Sequence, residues 1–356
     1  MAKVLMKGNE AIGEAAIRAG CLNYFAYPIT PQSEVAEYLA RRMPEVDGVF
    51  LQGESEVAVG YMIFGASGCG ERVMTTSSSP GISLMSEALS YITCGECPAV
   101  FVNIMRGGPG LGGILPSQGD YFQATKGGGH GDYRLLVMAP DSVQEAVEMV
   151  MAAFPLAEKY RNPVMILGDG LIGQMMEPVE FPEDLAAEPS NKDAWATNGM
   201  DTRGSQERNL LKTLYLDPEA LNAQNLKLRA KYEKMKAEEV RYKTYNLDSD
   251  YQALIVSYGT MSRVCRTAID NCKEEGLEVA MIRPQTLFPF PLEAINAAAG
   301  KDGCKVAVSV EMSMGQMVED VERSVCGKCP VEWYGKCGGE VPTPEEVMEA
   351  VRSFIG

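Results

Sequence analysis

The sequence predicts an α/β protein built on a parallel sheet covered on both faces by helices. Three observations predict it. Short apolar runs alternate with segments of helical periodicity along most of the chain. The run 99–105 is apolar almost without a break, the mark of a strand buried on both sides. Turn residues gather where the apolar runs end, as in strand–helix connections.

Taken in order, residues 3–6 read as a short strand. Residues 9–18 carry Ala and Ile at helical spacing, and Gly20 ends that helix. A strand at 22–27 leads through Tyr27-Pro28-Ile29-Thr30-Pro31 into a helix at 31–42. Thr30 before a proline is pushed out of the helical region. Pro31 suits a first helical position, so Thr30 is expected as the helix N-cap. A strand at 49–52 precedes a helix at 54–68 rich in Ala, Gly and Val. A strand at 72–77, a helix at 82–91 and the buried run 99–105 follow. Beyond a long glycine-rich loop come a strand at 135–138, a helix at 142–159 and a strand at 163–167.

From about residue 178 to 250 the character changes. Pro and acidic residues give way to a charged, weakly amphipathic stretch at 218–242, which reads as a linker carrying one long exposed helix. Alternation then resumes. A strand at 253–257, a helix at 261–275 and strands at 278–282, 304–310 and 331–334 are expected. Thr343-Pro344-Glu345-Glu346 is a capping box that opens the last helix. The division is therefore 1–177, 178–250 and 251–356.

The chain has 356 residues, 32 Lys plus Arg against 48 Asp plus Glu, and a formal net charge of −16. That balance argues against nucleic acid or an anionic membrane surface as partner. No apolar run is long enough for a transmembrane helix. The first residues hold too short an apolar stretch for a signal peptide, and the ten cysteines then suggest free thiols in a reducing cytoplasm.

The chemistry-bearing residues cluster at the turns. Glu56 falls in the first turn of a helix. An acid there complements the helix dipole, and it also lies where open α/β sheets bind ligands. Arg106 ends a buried strand and opens the loop 106–120, which contains six glycines between Gly107 and Gly119. Such a loop lets backbone approach a ligand, and the Arg fork suits a carboxylate. The loop is neither a P-loop nor a dinucleotide fingerprint, because the following Gly-Lys-Ser/Thr and the glycine spacing are missing. His130, the only histidine, sits among glycines. Cys94/Cys97 and Cys326/Cys329 have metal-ligand spacing, but the pairs lie more than 200 residues apart, and no metal ligand is assigned. Gly168-Asp169-Gly170 is half of a diphosphate–metal motif. Its Asn partner lacks context, since Asn191 and Asn198 fall in the linker.

Six motifs in order resemble the α subunit of the 2-oxoacid:ferredoxin oxidoreductases. They are Tyr-Pro-Ile-Thr-Pro at 27–31, Glu-Ser-Glu at 54–56, Ser-Ser-Ser-Pro-Gly-Ile-Ser-Leu-Met at 77–85, Arg-Gly-Gly-Pro-Gly at 106–110, Gln-Gly-Asp at 118–120 and Gly-His-Gly-Asp at 129–132. Tyr-Gly-Thr at 258–260 and Val-Glu-Met-Ser-Met-Gly-Gln-Met at 310–317 extend the likeness over the whole chain, and it is nearest to the branched-chain, 2-oxoisovalerate type.

The resemblance implies a thiamine diphosphate pyrimidine-side domain at 1–177 and a transketolase C-terminal-like domain at 251–356. It implies Glu56 as the acid on N1′ of the aminopyrimidine, favouring the imino form that takes the thiazolium C2 proton. Pro28 and Ile29 would line the cofactor. Thr30 and Arg106 would contact the 2-oxo acid, and Gln118, Asp120 and His130 are further candidates. The diphosphate and Mg²⁺ would lie on a β subunit. Fe–S clusters would lie on partner subunits, γ and ferredoxin-like δ subunits would complete the assembly, and coenzyme A would be co-substrate and ferredoxin electron acceptor. Pyruvate or 2-oxoglutarate as substrate, the β chain of a 2-oxoacid dehydrogenase, and a non-catalytic metal–thiolate scaffold stay open as alternatives.

Overall fold

The computed structural model describes residues 3–182, 192–199 and 208–356. Along the chain run β1 (Val4–Lys7), α1 (Gly8–Arg18), β2 (Asn23–Ala26), α2 (Ser33–Arg42), β3 (Val49–Gln52), α3 (Glu56–Gly68), β4 (Val73–Ser77) and α4 (Ser79–Cys94). Then come β5 (Val100–Met105), α5 (Tyr121–Thr125), β6 (Leu136–Met138), α6 (Val143–Tyr160), β7 (Val164–Asp169), α7 (Gly170–Gln174) and β8 (Met176–Val179). The rest is α8 (Pro218–Glu238), β9 (Tyr242–Tyr245), β10 (Ala253–Val256), α9 (Gly259–Glu274), β11 (Val279–Pro284), β12 (Thr286–Phe288), α10 (Leu292–Ala299), β13 (Val306–Glu311), α11 (Val318–Val325), β14 (Val331–Gly335) and α12 (Pro344–Ile355).

Two mixed sheets organise these elements. The larger has the order β12-β6-β7-β5-β4-β2-β3 and is parallel except for β12. All six residues of β5 are buried, as its unbroken apolar run requires. The smaller sheet, β14-β13-β10-β11-β9, is parallel except for β9. The first strand does not join either sheet. It pairs antiparallel with β8.

The apolar face of each helix explains its place. Helices α1, α2 and α6 bury their Ala, Val, Leu and Met residues in one core on one face of the large sheet. Leu228, Tyr232 and Met235 of α8 join that core at spacings of four and three. The stretch expected to be an exposed linker helix thus lays one stripe on the protein, which its weak amphipathicity concealed. Helices α3 and α4 pack on the opposite face. Their core is continuous with Leu254, Val256 and Ile282 of the second sheet and with Val321 of α11. Helices α9 and α12 close the outer face of the small sheet. Glu346 and Thr343 make the capping box expected at the start of α12.

The two sheets interlock. Strand β12, from the C-terminal half, supplies the edge of the large sheet, and β9, from the expected linker, supplies the edge of the small one. Arg283 on β11 forks onto Glu145 of α6 at 2.5 and 2.6 Å, with both side chains buried. Parts of the 178–250 segment, residues 183–191 and 200–207, lie outside the described residues.

Candidate active site

Parallel strands leave their carboxyl ends on one edge of the sheet, and the candidate residues come together there. The connections after β2, β3, β4 and β5 carry Thr30, Glu56, Ser79 and Arg106.

Helix α3 starts at Glu56. Its N-cap is Ser55, whose hydroxyl accepts the Ala58 N–H at 3.2 Å. That cap leaves Glu56 free of capping duty. Its side chain turns inward and is 7 % exposed, and among the described residues its carboxylate has no hydrogen-bond or ion-pair partner. Glu54, two residues earlier, faces solvent. The inward turn depends on Gly81 of α4. A Cβ there would stand 2.9 Å from the Glu56 Oε1 and 2.1 Å from the Ser77 Oγ. The Ser77 and Ser78 hydroxyls are buried without a hydrogen-bond partner at the same strand end.

Arg106 follows β5 and is also 7 % exposed. Its Nη1 donates to the Thr30 carbonyl at 2.9 Å and its Nη2 to the Leu111 carbonyl at 3.0 Å. Its Nε has no partner. Among the described residues no carboxylate lies within ion-pair distance of it. A buried guanidinium without an anion is costly, which makes Arg106 a candidate for binding one.

Three groups fix the Arg106 backbone. Its N–H donates to the Ser79 Oγ at 3.1 Å, and the Ser79 Oγ lies 2.6 Å from the Asp120 carboxylate, to which it donates. Asn103 Nδ2 donates to the same Asp120 oxygen at 2.8 Å, and its Oδ1 accepts the Ser79 N–H at 3.0 Å. Burial pushes the Asp120 carboxyl above its ordinary value, against the hydrogen bonds from Ser79 and Asn103.

Thr30 differs from its expected local role. The Thr30–Pro31 peptide is cis and α2 begins only at Ser33, with Gln32 at the cap position. Asn9 and Gln174 hold the Pro31 carbonyl at 2.8 and 3.2 Å, which keeps Pro31 outside the helix. Thr30 therefore does not cap α2. Its side chain is exposed, and its carbonyl anchors Arg106. Pro28 and Ile29 lie on the same connection, exposed and half-buried.

The remaining candidates fall elsewhere. Gln118 is fully buried and ties the two halves together. Its amide donates to the Tyr258 carbonyl at 2.9 Å, and its Oε1 accepts the Met312 N–H at 2.9 Å. His130 is exposed beside Ser90 and Tyr91, at 3.4 Å from the Ser90 Oγ and edge-on to the Tyr91 ring at 6.0 Å. Ser90 lies about 16 Å along α4 from Ser79, so this chain does not bring His130 to the site. Asp169 is buried and accepts the Leu171 and Ile172 N–H groups as the N-cap of α7. Asn191 is outside the described residues. Cys97 is buried, and burial pushes its thiol up to about 12. Among the described residues no group of three or more His, Cys, Asp or Glu is placed to hold a metal.

Sequence reasoning assigned no role to Ser79, Gly81 or Asn103. Two signals marked them. Asn103 is the one polar residue in a strand otherwise apolar and wholly buried. The run Ser77-Ser78-Ser79-Pro80-Gly81 puts hydroxyls and a glycine at a strand end.

A buried acid at a strand's carboxyl end, with no ion-pair partner among the described residues, is the group that an aminopyrimidine ring nitrogen needs. Glu56 and its surroundings therefore fit the pyrimidine side of thiamine diphosphate.

Residues 14–245 match the family described as pyruvate flavodoxin/ferredoxin oxidoreductase, thiamine diphosphate binding. Residues 252–347 match pyruvate:ferredoxin oxidoreductase core domain II. The ketoisovalerate oxidoreductase subunit VorB of Methanothermobacter thermautotrophicus is 46 % identical over all of this chain and 99 % of its own length. The 2-oxoglutarate synthase subunit KorA of Methanocaldococcus jannaschii is 36 % identical over 97 % of this chain and 98 % of its own. Among solved structures, a 2-oxoglutarate:ferredoxin oxidoreductase from Magnetococcus marinus, with 2-oxoglutarate, coenzyme A and succinyl-CoA bound, superposes with a TM-score of 0.87 at 28 % identity. It is matched over all of this chain and 66 % of that one. A split-gene transketolase shares the fold, with a TM-score of 0.61 at 15 % identity and 98 % of each chain covered.

Proposed function

The chain belongs to the thiamine diphosphate-dependent 2-oxoacid:ferredoxin oxidoreductase family, and from that premise we propose that it binds the pyrimidine side of the cofactor and the carboxylate of a branched-chain 2-oxo acid. The reaction is oxidative decarboxylation to an acyl-CoA, with electrons passing to ferredoxin. The observation that carries this reading is Arg106, a buried guanidinium with an unpartnered Nε and, among the described residues, no carboxylate within ion-pair distance.

The cofactor, when bound, supplies the electron sink that decarboxylation requires. This chain's residues do the rest. Glu56 holds and exchanges a proton at N1′ of the aminopyrimidine, and its burial gives that proton most leverage. Arg106 takes the substrate carboxylate through its fork. The exposed Thr30 hydroxyl donates to the 2-oxo oxygen, and Pro28 and Ile29 line the cofactor from the same connection. Ser79, Asn103 and Asp120 hold the Arg106 backbone against the end of β4, the strand end on which Glu56 also packs. Gln118 and His130 take no part in this chemistry: the first joins the halves, and the second faces outward.

In this reading a partner β subunit holds the diphosphate and Mg²⁺, Fe–S clusters sit on partner subunits, and γ and δ subunits complete the assembly. Asp169 supports this division, because its carboxylate is committed to the N–H groups of α7. The branched-chain preference is supported by relatives described as ketoisovalerate oxidoreductase subunits at 45–46 % identity, against 34–36 % for those described as 2-oxoglutarate synthase subunits. We place the assembly in the cytoplasm. Among the described residues no helix is long and apolar enough to cross a membrane.

The test is reconstitution. The chain alone should neither hold thiamine diphosphate tightly by calorimetry nor turn over 2-oxo acids. The assembled complex should do both and should favour 3-methyl-2-oxobutanoate over pyruvate and 2-oxoglutarate. Turnover by the isolated chain, or preference for another acid, overturns the corresponding part of the reading.

A further inference from the structure

The glycine-rich loop carries three apolar side chains that the fold leaves uncovered. Leu111 is 82 % exposed, Ile114 60 % and Leu115 57 %. They are not on a floppy segment. The Gly107 N–H donates to the Leu115 carbonyl at 3.0 Å and the Gly113 N–H to the Gly107 carbonyl at 2.8 Å. Gly112 closes the ring at a φ of +60°, where a Cβ would stand 1.8 Å from the Gly107 oxygen. The 338–339 turn of the C-terminal half braces the loop from behind. A Gly339 Cβ would lie 2.5 Å from the Leu115 Cβ, and a Gly107 Cβ 3.3 Å from the Gly338 carbonyl carbon.

We propose that Leu111 and Ile114, backed by Leu115, form the wall that reads the substrate's side chain. The inference rests on the assignment of Arg106 to the carboxylate and goes one step past it. The Arg106 Nη2 is bonded to the Leu111 carbonyl itself. A carboxylate on that guanidinium therefore brings the remainder of a 2-oxo acid alongside the Leu111 and Ile114 side chains.

The charge pattern decides what kind of remainder fits. Between Gly107 and Asp120 there is no Lys, Arg or His. The single charge, Asp120, is turned inward onto Ser79 and Asn103. Lys336, which precedes the bracing turn, is engaged by Glu346 at 2.6 Å. A second carboxylate would meet no cation on this wall and would lose its water. A branched apolar chain would instead cover exposed Leu and Ile surface. Pyruvate, with one methyl group, would leave most of that surface wet.

The other occupant of three exposed apolar side chains is the surface of a partner subunit, and the experiment separates the two. In the assembled enzyme, kcat/KM is measured for 3-methyl-2-oxobutanoate and for pyruvate with wild type, Leu111→Ala, Ile114→Ala and the milder Ile114→Val. Assembly is followed by native mass. The branched-chain to pyruvate ratio should fall on the order of 10-fold for each Ala variant and by less for Val, with assembly intact. An unchanged ratio overturns the inference. Loss of assembly in the Ala variants with an unchanged ratio in Ile114→Val also overturns it and gives the wall to the partner. If wild type prefers pyruvate or 2-oxoglutarate, it is the proposed substrate that fails.

Discussion

Glu54 and Glu56 stand two residues apart in surroundings that differ entirely. The first is solvated, and the second is buried beside Gly81 with no partner for its carboxylate among the described residues. Replacement of each by Gln should separate a proton-exchanging acid from one that merely favours a helix start. Glu56→Gln in the assembled complex should fold and assemble, yet exchange the C2 proton of bound thiamine diphosphate far more slowly. Glu54→Gln should change stability by roughly 0.3–1 kcal/mol at most and leave exchange fast. Deuterium exchange followed by NMR of the bound cofactor checks both, and slow exchange in Glu54→Gln alone refutes the assignment. Arg106 makes the second prediction at this scale. Lys keeps the charge but cannot hold the Thr30 carbonyl, the Leu111 carbonyl and a carboxylate together. Arg106→Lys should therefore lose about 1.5–3 kcal/mol of transition-state stabilisation in kcat/KM, with cofactor affinity nearly unchanged. An equal fall in cofactor affinity would make Arg106 a structural residue. The sequence singled out Glu56 and Arg106 as charged residues at strand ends, and it was the resemblance, not the local pattern, that set Glu56 apart from Glu54. The Ser79–Asn103–Asp120 network was not legible there. It joins the start of α4, the interior of β5 and the loop after it, and only the tertiary fold brings the hydroxyl and the amide onto one carboxylate oxygen.

At the scale of elements, the connection from β4 into α4 is tuned by one missing methyl group. Ala is the better helix former, by up to about 1 kcal/mol over Gly. At position 81, however, the added Cβ would press on the Ser77 Oγ and the Glu56 carboxylate. Gly81→Ala should therefore fold with near-normal circular dichroism while losing most activity through a displaced Glu56. Undiminished turnover would show that the position of Glu56 does not matter. The long elements were readable from periodicity. Strand β5 is continuous apolar sequence and α12 carries its own capping box. The short ones escaped. Strand β12 has three residues and is followed by Pro289, so it looks like a turn until β6 supplies a partner. The start of α2 escaped for a related reason. Pro31 fits a first helical turn, but distant Asn9 and Gln174 claim its carbonyl.

At the scale of the whole molecule, the two halves are joined by charge as well as by strand exchange. Burial works to raise the Glu145 carboxyl, but the fork of Arg283 outweighs it and holds the group down to about 2, against an ordinary 4.5. A depressed carboxylate stabilises the fold above its ordinary value and loses that contribution as the pH falls towards the depressed one. Glu145→Gln should thus lower stability at pH 7 by up to about 3–5 kcal/mol. The upper end is softened because Asp141 stays 3.4 Å from Arg283. The gap between variant and wild type should narrow below about pH 4.5, read as thermal midpoints across that range. A constant gap would mean that packing, not charge, sets the effect. This joint was invisible in the sequence because Glu145 and Arg283 lie far apart along the chain and neither belongs to a motif. The exchange of β12 has a consequence for how the protein is made. The edge of β6 receives its neighbour only after about 150 further residues have been synthesised. At 5–20 residues per second, a ribosome leaves that edge bare for about 7–30 s. An open edge of a hydrophobic sheet is a template for adhesion to other nascent chains. The first sheet therefore waits on the second half of the message, and yield in a foreign host should depend on holdase chaperones during that interval.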